Sequence, residues 1–348
     1  MISSKNRIIL DCTLRDGGYV NNWEFDTETA LCVRDALYES GVRFIELGIM
    51  GKGGIPGKQT KFATFAEVEP LLAGRKPDCR YCVMVTQAEY ASLDERFPAC
   101  GANTVDTIRL AYFKPEAEAA LETAAELKKN GYQVFMQPMA TFMYQPEELA
   151  AHIDRINALK PTACYMVDSF SMMYNDDVRS MQQFMLERLD KAIFFGFHAH
   201  NNIQMAFSNA ITFIEHPEER CLVIDGSIFG MGRGAGNVPT ELLMEYMKKK
   251  MGAAFDIERL LAVFEARLEP VFKENDWGYS LPYYLTASKN MNSVYGWYLN
   301  RKGVKGLAES NRILDRIPEE AKYTLMRRVA DQTIEAYFEE KKHEQGNV

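Results

Sequence analysis

The chain is predicted to form an α/β fold, a (β/α)8 TIM barrel over residues 1–252 followed by a helical C-terminal domain over residues 253–348. Three observations carry this. Eight short apolar runs, at residues 8–13, 44–50, 81–86, 107–113, 133–140, 163–168, 193–198 and 222–229, alternate with amphipathic stretches. Most runs are nearly continuously apolar, as suits parallel strands covered on both faces. Polar residues gather immediately after several runs, where a barrel keeps its chemistry. Eight strand–helix units in about 250 residues match a closed barrel in count and length. An open doubly wound sheet uses fewer strands and gives no reason for polar residues at so many strand ends.

The segments between the runs carry helix signals. Asp26-Thr27-Glu28-Thr29 offers an N-cap and an acidic first turn after the first run. Lys114-Pro115-Glu116 opens the helix after the fourth run with proline in its first turn. Lys128-Lys129-Asn130-Gly131 closes that helix with cations and a helix-stopping Asn-Gly. Gln145-Pro146-Glu147-Glu148 opens the next one. Beyond Ala253 the alternation stops. Residues 257–272, 281–299 and 318–340 read as helices, with Tyr279, Tyr283, Tyr284, Tyr295, Trp297 and Tyr298 as core or interface. Residues 341–348 are expected to fray.

Composition narrows the function. A chain of 348 residues, 47% of them hydrophobic, buries a large core. Its net charge of -8 and the lack of a basic stripe argue against a nucleic-acid partner. Lys248-Lys249-Lys250 and Lys341-Lys342 read as helix ends or solvated faces. No apolar stretch reaches the ~20 residues that span a bilayer, and Met1-Ile2-Ser3-Ser4-Lys5-Asn6-Arg7 lacks the apolar region of a signal peptide. No membrane partner is expected. The seven cysteines are odd in number, scattered and partly within apolar runs, which reads as buried thiols in a reducing, cytoplasmic compartment. Cys79-Arg80-Tyr81-Cys82 has no second pair, and positions i and i+3 of a strand face opposite sides, so it does not read as a zinc or redox site. Gly51-Lys52-Gly53-Gly54-Ile55-Pro56-Gly57-Lys58 lacks the ending of a phosphate-binding loop. It reads as a surface loop, with a lid carrying two cations as the alternative.

The most informative residues are histidines. There are five, and His198 and His200 stand two apart at the end of Ile193-Phe194-Phe195-Gly196-Phe197. In a strand, residues i and i+2 face the same way, so both imidazoles point at one spot. An aspartate from another strand end completes a set of two nitrogens and one carboxylate oxygen. Such a set suits a divalent metal with open positions.

Three segments together resemble one superfamily of metal-dependent aldolases, lyases and Claisen-type synthases on a barrel whose first strand ends in Arg-Asp. They are Asp11-Cys12-Thr13-Leu14-Arg15-Asp16-Gly17-Gly18, Phe197-His198-Ala199-His200-Asn201-Asn202 and Gly230-Met231-Gly232-Arg233-Gly234-Ala235-Gly236-Asn237. The superfamily includes the hydroxymethylglutaryl-CoA lyases. The compact third segment is most similar to the 4-hydroxy-2-oxovalerate aldolase branch, and Gly278-Tyr279-Ser280-Leu281 resembles the start of that branch's helical region.

The resemblance implies roles residue by residue. Asp16, His198 and His200 stand as metal ligands, for Mn²⁺ foremost, with Mg²⁺ or Zn²⁺ as alternatives. Asn237 matches an additional amide ligand, and it also stands where it can cap the helix that follows Pro239. Arg15 matches the group that stabilises an enolate oxygen; a structural ion pair is the plain alternative. Independently of the resemblance, Glu46 shares the inward parity of Gly48 on the second strand and reads as a carboxylate supporting Arg15 or Asp16, or else as a buried structural ion pair. Ser169 matches a contact to the substrate carboxylate, or else forms a turn. One position departs from the pattern. The aldolase branch places a histidine base just after Arg-Asp-Gly, and here that residue is Tyr19. Tyr19, Tyr279 or a metal-bound hydroxide remains to move the proton, although an unperturbed tyrosine titrates near pH ~10.

The implied activity is that of a metal-dependent carbon–carbon lyase, cleaving or forming a 4-hydroxy-2-keto acid through a pyruvate enolate. The rivals are a Claisen-type acyltransferase joining acetyl-CoA to a 2-keto acid, and a non-catalytic barrel that partners another enzyme. The expected ligand is a small 2-keto acid. The C-terminal helices are candidates for a homo-oligomer contact or for docking a partner dehydrogenase.

Overall fold

The computed structural model describes residues 4–275 and 277–346. Eight parallel strands follow one another around a ring: β1 Arg7–Asp11, β2 Phe44–Met50, β3 Arg80–Thr86, β4 Thr107–Tyr112, β5 Gln133–Pro138, β6 Ala163–Asp168, β7 Phe194–Ala199 and β8 Leu222–Gly226. The ring closes because β1 pairs on one side with β8, Leu10 opposite Asp225, and on the other with β2, Leu10 opposite Phe44. The predicted TIM barrel is therefore the fold observed. A two-residue strand, Lys61–Phe62, also lies beside the end of β2. It is too short to leave a periodic pattern in sequence.

The strand ends differ from the apolar runs for local reasons. The first run was expected to continue to residue 13, but the chain leaves β1 at Asp11. There the Asp11 carboxylate accepts the Thr13 N–H (2.9 Å) and so competes with the ladder. Residues Thr13–Asp16 then form one helical turn. After β8 the chain turns at once, with Phe229 at a φ of 54°.

The barrel helices are α1 Thr27–Glu39, α2 Phe65–Val68, α3 Gln87–Ser92, α4 Ala117–Lys129, α5 Pro146–Leu159, α6 Asn175–Leu186, α7 Ala206–Ile214 and α8 Thr240–Met251. Their caps follow the sequence signals. Asp26 accepts the Thr29 N–H (2.8 Å) at the start of α1, and Glu148 accepts the Gln145 N–H (2.8 Å) at the start of α5. Helix α4 stops at Lys129, ahead of Gly131 in the left-handed region (φ 92°).

Two layers fill the barrel interior. The lower is apolar, with Leu10, Cys12, Cys82, Phe135, Tyr165 and Val223 packed together. The charged side chains Glu46, Arg109 and Asp225 are buried in the interior as well. The larger core lies between strands and helices.

Past the barrel, α9 Ile257–Val263 continues through a π-helical stretch, Phe264–Leu268, into α10 Glu269–Glu274. Leu260, Val263 and Leu268 of this arm share the barrel's core. A second core forms around Met291, Tyr295, Leu299, Ile313, Ile334 and Tyr337. It is built by α11 Leu281–Ala287, α12 Val294–Arg301, α13 Leu307–Leu314 and α14 Arg327–Gly346. The helix expected over 281–299 is two helices, because Asn290 adopts a positive φ of 54° and breaks the turn between them. Helix α13 was not anticipated. Helix α14 runs on to Gly346, and residues 347–348 of the stretch expected to fray lie outside the described residues. None of the described helices is long and apolar enough to cross a membrane.

Close packing of the lower layer depends on Gly196 of β7, opposite Tyr165 of β6. A Cβ there would fall 2.5 Å from Tyr165 Cδ2. Gly196→Ala is expected to cost about 1–3 kcal/mol through overpacking, read as an earlier midpoint in urea denaturation. An unchanged midpoint would show that the ring has room to move.

Candidate active site

The turn after β1 places the first two groups. Arg15 N–H and Asp16 N–H donate to Cys12 O (3.1 and 2.8 Å). Trp23 Nε1 donates to Arg15 O (2.7 Å) and Thr60 Oγ1 to Leu14 O (2.7 Å), which pins the turn from outside. Both side chains then point into the barrel mouth and are buried.

Asp16, His198 and His200 come together there. One ligand atom from each lies within 4.8 Å of the others, and all three residues are buried. The two imidazole centroids are 5.0 Å apart at 88°. Asp225 on β8 holds His198 Nδ1 at 2.8 Å, which leaves His198 Nε2 as the free ligand nitrogen. His200 Nδ1 lies 3.9 Å from Asp16 Oδ2 and, though buried, has no hydrogen-bond partner. Burial pushes the His200 pKa well below its ordinary value, against the pull of Asp16. The ring is therefore neutral at physiological pH, the form that binds metal. Burial acts to raise the Asp16 pKa, but Arg15, His200, His198 and Arg233 outweigh it and hold the carboxylate well below its usual range.

These candidate ligands terminate a chain of buried charges. Arg15 pairs with Asp16 through Nη1 and with Glu46 through Nε (2.8 Å). Glu46 Oε2 also accepts from Arg109 Nη1 (2.7 Å). Arg109 pairs in turn with Asp225, which holds His198. Three carboxylates and two guanidinium groups alternate, leaving one net negative charge at the open end of the chain. A divalent cation fits that charge. It also fits two orphaned buried atoms, His200 Nδ1 and Asn237 Oδ1, since an unpaired buried polar atom costs about 1–3 kcal/mol.

Asn237 reaches the same spot by its amide, with Nδ2 donating to Asp16 Oδ2 (2.8 Å) and to Met231 O (3.2 Å). Gly232 makes room for this, because a Cβ on it would meet Asp16 Oδ2 at 2.7 Å. The capping alternative is not what the side chain does: α8 has no side-chain cap.

The remaining candidates lie at different depths. Ser169 is buried, its Oγ accepting the Ala140 N–H (2.9 Å) and its carbonyl accepting from Arg233 Nη2 (3.3 Å). Tyr19 stands at the mouth with 43% of its surface open to it, its ring 5.6 Å from the Arg233 guanidinium. Burial of the phenol by surrounding protein raises its pKa, and Arg233 only partly offsets this. Tyr279 is exposed and does not line the cavity above the mouth. In the glycine-rich loop, Lys52 pairs with Asp94 (2.6 Å) at the surface.

Three residues of this site went unread in sequence. Arg109 and Asp225 each stand as a single charge inside an apolar strand run, which was the available signal. Arg233 lies within the third motif, whose signal in sequence is its glycines. Its Nη2 is 3.4 Å from His200 Nε2, and it has no ion-pair partner among the described residues.

A closed barrel with a buried Asp–His–His set and an arginine at its strand ends defines a divalent-metal barrel enzyme. The chain matches the HMGL-like family model over residues 6–265 and belongs to that family. It is 29% identical over 266 residues to a 4-hydroxy-2-oxovalerate aldolase of Thermomicrobium roseum, covering 76% of this chain and 73% of that one. In structure it resembles the N-terminal domain of a Bacteroides vulgatus protein assigned as an aldolase, with 27% identity and a TM-score of 0.72 over 84% of this chain and 96% of that one. The barrel is also shared with the HMG-CoA lyase of Bacillus subtilis, with 17% identity and a TM-score of 0.62 over 78% and 95% of the two chains.

The chain of charges predicts a metal-binding effect at a residue that is not itself a ligand. Asp225→Ala should weaken divalent-metal affinity about 10–100-fold by freeing His198 Nδ1, measured by competition with a fluorescent chelator on protein whose circular dichroism is unchanged. Unaltered affinity would reduce Asp225 to a counter-ion for Arg109.

Proposed function

We propose that this protein is a divalent-metal-dependent carbon–carbon lyase that cleaves or forms a 4-hydroxy-2-keto acid through a pyruvate enolate. One observation carries the reading. Arg15 Nη2 is a buried donor with no hydrogen-bond partner, beside the Asp–His–His set. Such a donor is held for an anionic oxygen that forms during reaction. The relatives named 4-hydroxy-2-oxovalerate aldolase favour aldol over Claisen chemistry.

Asp16, His198 and His200 would hold the metal, with Asn237 Oδ1 available as a further ligand. We favour Mn²⁺, with Mg²⁺ or Zn²⁺ as alternatives. When bound, it supplies Lewis-acid polarisation of the keto acid's carbonyl and carboxylate. The residues of the chain do the rest. In cleavage the C3–C4 bond breaks, the C4 hydroxyl loses its proton and becomes the aldehyde carbonyl, and the bonding pair becomes the C2–C3 double bond of the enolate. Arg15 stabilises the charge gathered on the C2 oxygen. Protonation at C3 then yields pyruvate. Ser169 and Arg233 lie on the side where the substrate carboxylate enters.

Tyr19 is the better placed of the two tyrosines to handle the C4 proton, because it lines the mouth beside Arg233. Its raised pKa keeps it protonated at neutral pH. Donation to the new C4 oxygen during condensation therefore suits it better than proton removal during cleavage. The C-terminal helices are the surface we assign to a partner dehydrogenase or a second copy, and we place the reaction in the cytoplasm.

Chelator should abolish turnover and Mn²⁺ restore it, while His198→Ala/His200→Ala should lose metal stoichiometry. Full metal occupancy in that double variant would remove the ligand assignment. Arg15→Ala should lower kcat by ~10²–10³ with metal still bound, and Arg15→Lys should fail nearly as badly, because an ammonium does not reproduce the guanidinium fork. A near-wild-type kcat would make Arg15 a structural ion pair. Exchange of pyruvate methyl protons with deuterated water separates the steps. Tyr19→Phe should slow cleavage and condensation more than exchange, and equal losses would assign Tyr19 to the enolate or the fold.

A further inference from the structure

The barrel mouth opens into a cavity of about 380 Å³ between the barrel loops and the C-terminal helices. On the barrel side it is lined by Tyr19, Gly232 and Arg233, and on the helical side by Trp277, Tyr283 and Trp297. Gly232 and Arg233 join it to the metal ligands. Gly232 packs against Asp16 and Asn237, and Arg233 Nη2 reaches His200 Nε2 at 3.4 Å. A substrate held by its keto-acid end at the cluster has this space next to it, across Gly232 and Arg233, for its far end.

The lining is chemically divided. Arg233 stands at the junction with the metal cluster, its guanidinium over the Tyr19 ring. Away from that junction Trp277, Tyr283 and Trp297 supply aromatic faces, with Asn275 and Ser293 as the polar groups beside them. Trp277 is fixed by donating Nε1 to Phe229 O (2.9 Å) and by edge contact with Phe272 at 4.8 Å. Tyr19 is held edge-on by Trp23 at 4.7 Å. The chain has three tryptophans, two of them in this lining and the third supporting Tyr19.

Size decides what such a wall accepts. Cavities that bury whole small-molecule ligands span roughly 300–1,000 Å³, and one water's share of liquid volume is about 30 Å³. A two-carbon aldehyde, with three heavy atoms, would leave most of 380 Å³ wet against aromatic faces. A ring occupies more of it and replaces water on those faces with offset or edge-to-face contacts.

We propose that the carbonyl partner released on cleavage is a bulky aldehyde of aromatic size, seated between Trp277, Trp297 and Tyr19, and not a two- or three-carbon one. This rests on the lyase reading above and adds the substrate class. The reaction balances as before: the C3–C4 bond breaks and its electron pair becomes the C2–C3 double bond of the enolate, the C4 hydroxyl gives its proton to solvent, and C3 takes one proton back, so that pyruvate and the aryl aldehyde are the two products.

The experiment compares 4-hydroxy-2-oxo-4-phenylbutanoate with 4-hydroxy-2-oxovalerate on the Mn²⁺-loaded enzyme, with pyruvate exchange in deuterated water measured on the same wild-type preparation. We expect kcat/KM to favour the phenyl substrate by at least about tenfold, the discrimination that a few apolar contacts give. In Trp297→Ala, and in Val294→Trp, which fills the cavity from the next turn of α12, that ratio should fall toward one. The two variants remove and occupy the space by opposite means, so a folding defect in one does not decide the result. Saturation-transfer NMR on metal-free protein gives a readout independent of turnover. Benzyl alcohol should receive saturation from wild type, and Trp297→Ala should reduce it. Wild-type pyruvate exchange with equal use of both substrates, or with preference for the methyl one, overturns the inference and leaves the lyase reading intact. Neither exchange nor cleavage of either substrate overturns the lyase reading, and the inference falls with it.

Discussion

The alternation of buried charges from Asp16 through Arg15, Glu46, Arg109 and Asp225 to His198 is the constraint on which the rest of the site depends. Each member is buried inside the barrel mouth, where an isolated charge is costly and a paired one tolerable. No member can be removed alone without leaving its neighbours uncompensated. The chain links five strands that are far apart in sequence, β1, β2, β4, β7 and β8, so the folded barrel and the geometry of the site are specified together. It also sets the two ends to their tasks: Asp16 stays ionised, and His198 turns its free nitrogen to the site.

This arrangement explains why the barrel interior is layered. Below, Cys82, Phe135 and Tyr165 pack as a plug, with Gly196 allowing close approach to the Tyr165 ring. Above, the ion pairs need that plug, because a low-dielectric floor strengthens every interaction made over it. The plug and the charges are connected physically at Arg109, whose guanidinium lies 5.1 Å from the Tyr165 ring centroid.

The barrel was legible in the sequence because eight buried strands leave eight apolar runs, a signal that survives errors of two residues at each end. His198 and His200 were legible because their spacing carries geometry by itself, and Asp16 because a motif accompanies it. The charge chain was not. Arg109 and Asp225 are each one residue in a strand, and nothing local says that Arg109 on β4 reaches Glu46 on β2 and Asp225 on β8. Such contacts belong to the closed ring and exist in no single segment. Tyr279 and Trp277 show the same limit from the other side. They are two residues apart, yet Trp277 lines the cavity and the exposed Tyr279 does not, because the direction of a loop side chain is set by tertiary packing. The helix expected over 281–299 divides at Asn290 through a single positive φ, which composition does not announce.

The C-terminal helices keep an apolar core of their own around Met291, Tyr295 and Ile313, separate from the barrel's. They meet the barrel through scattered contacts such as Tyr323 stacked on Phe170 at 5.7 Å. Two cores joined by a thin seam open with different free energies. The roof over the cavity is thus a unit that can loosen while the charged mouth beneath stays assembled. Access to the site and the stability of the site are consequently governed by different sets of residues. Substitutions in the second core would alter how often the cavity is open to solvent without altering what waits inside it.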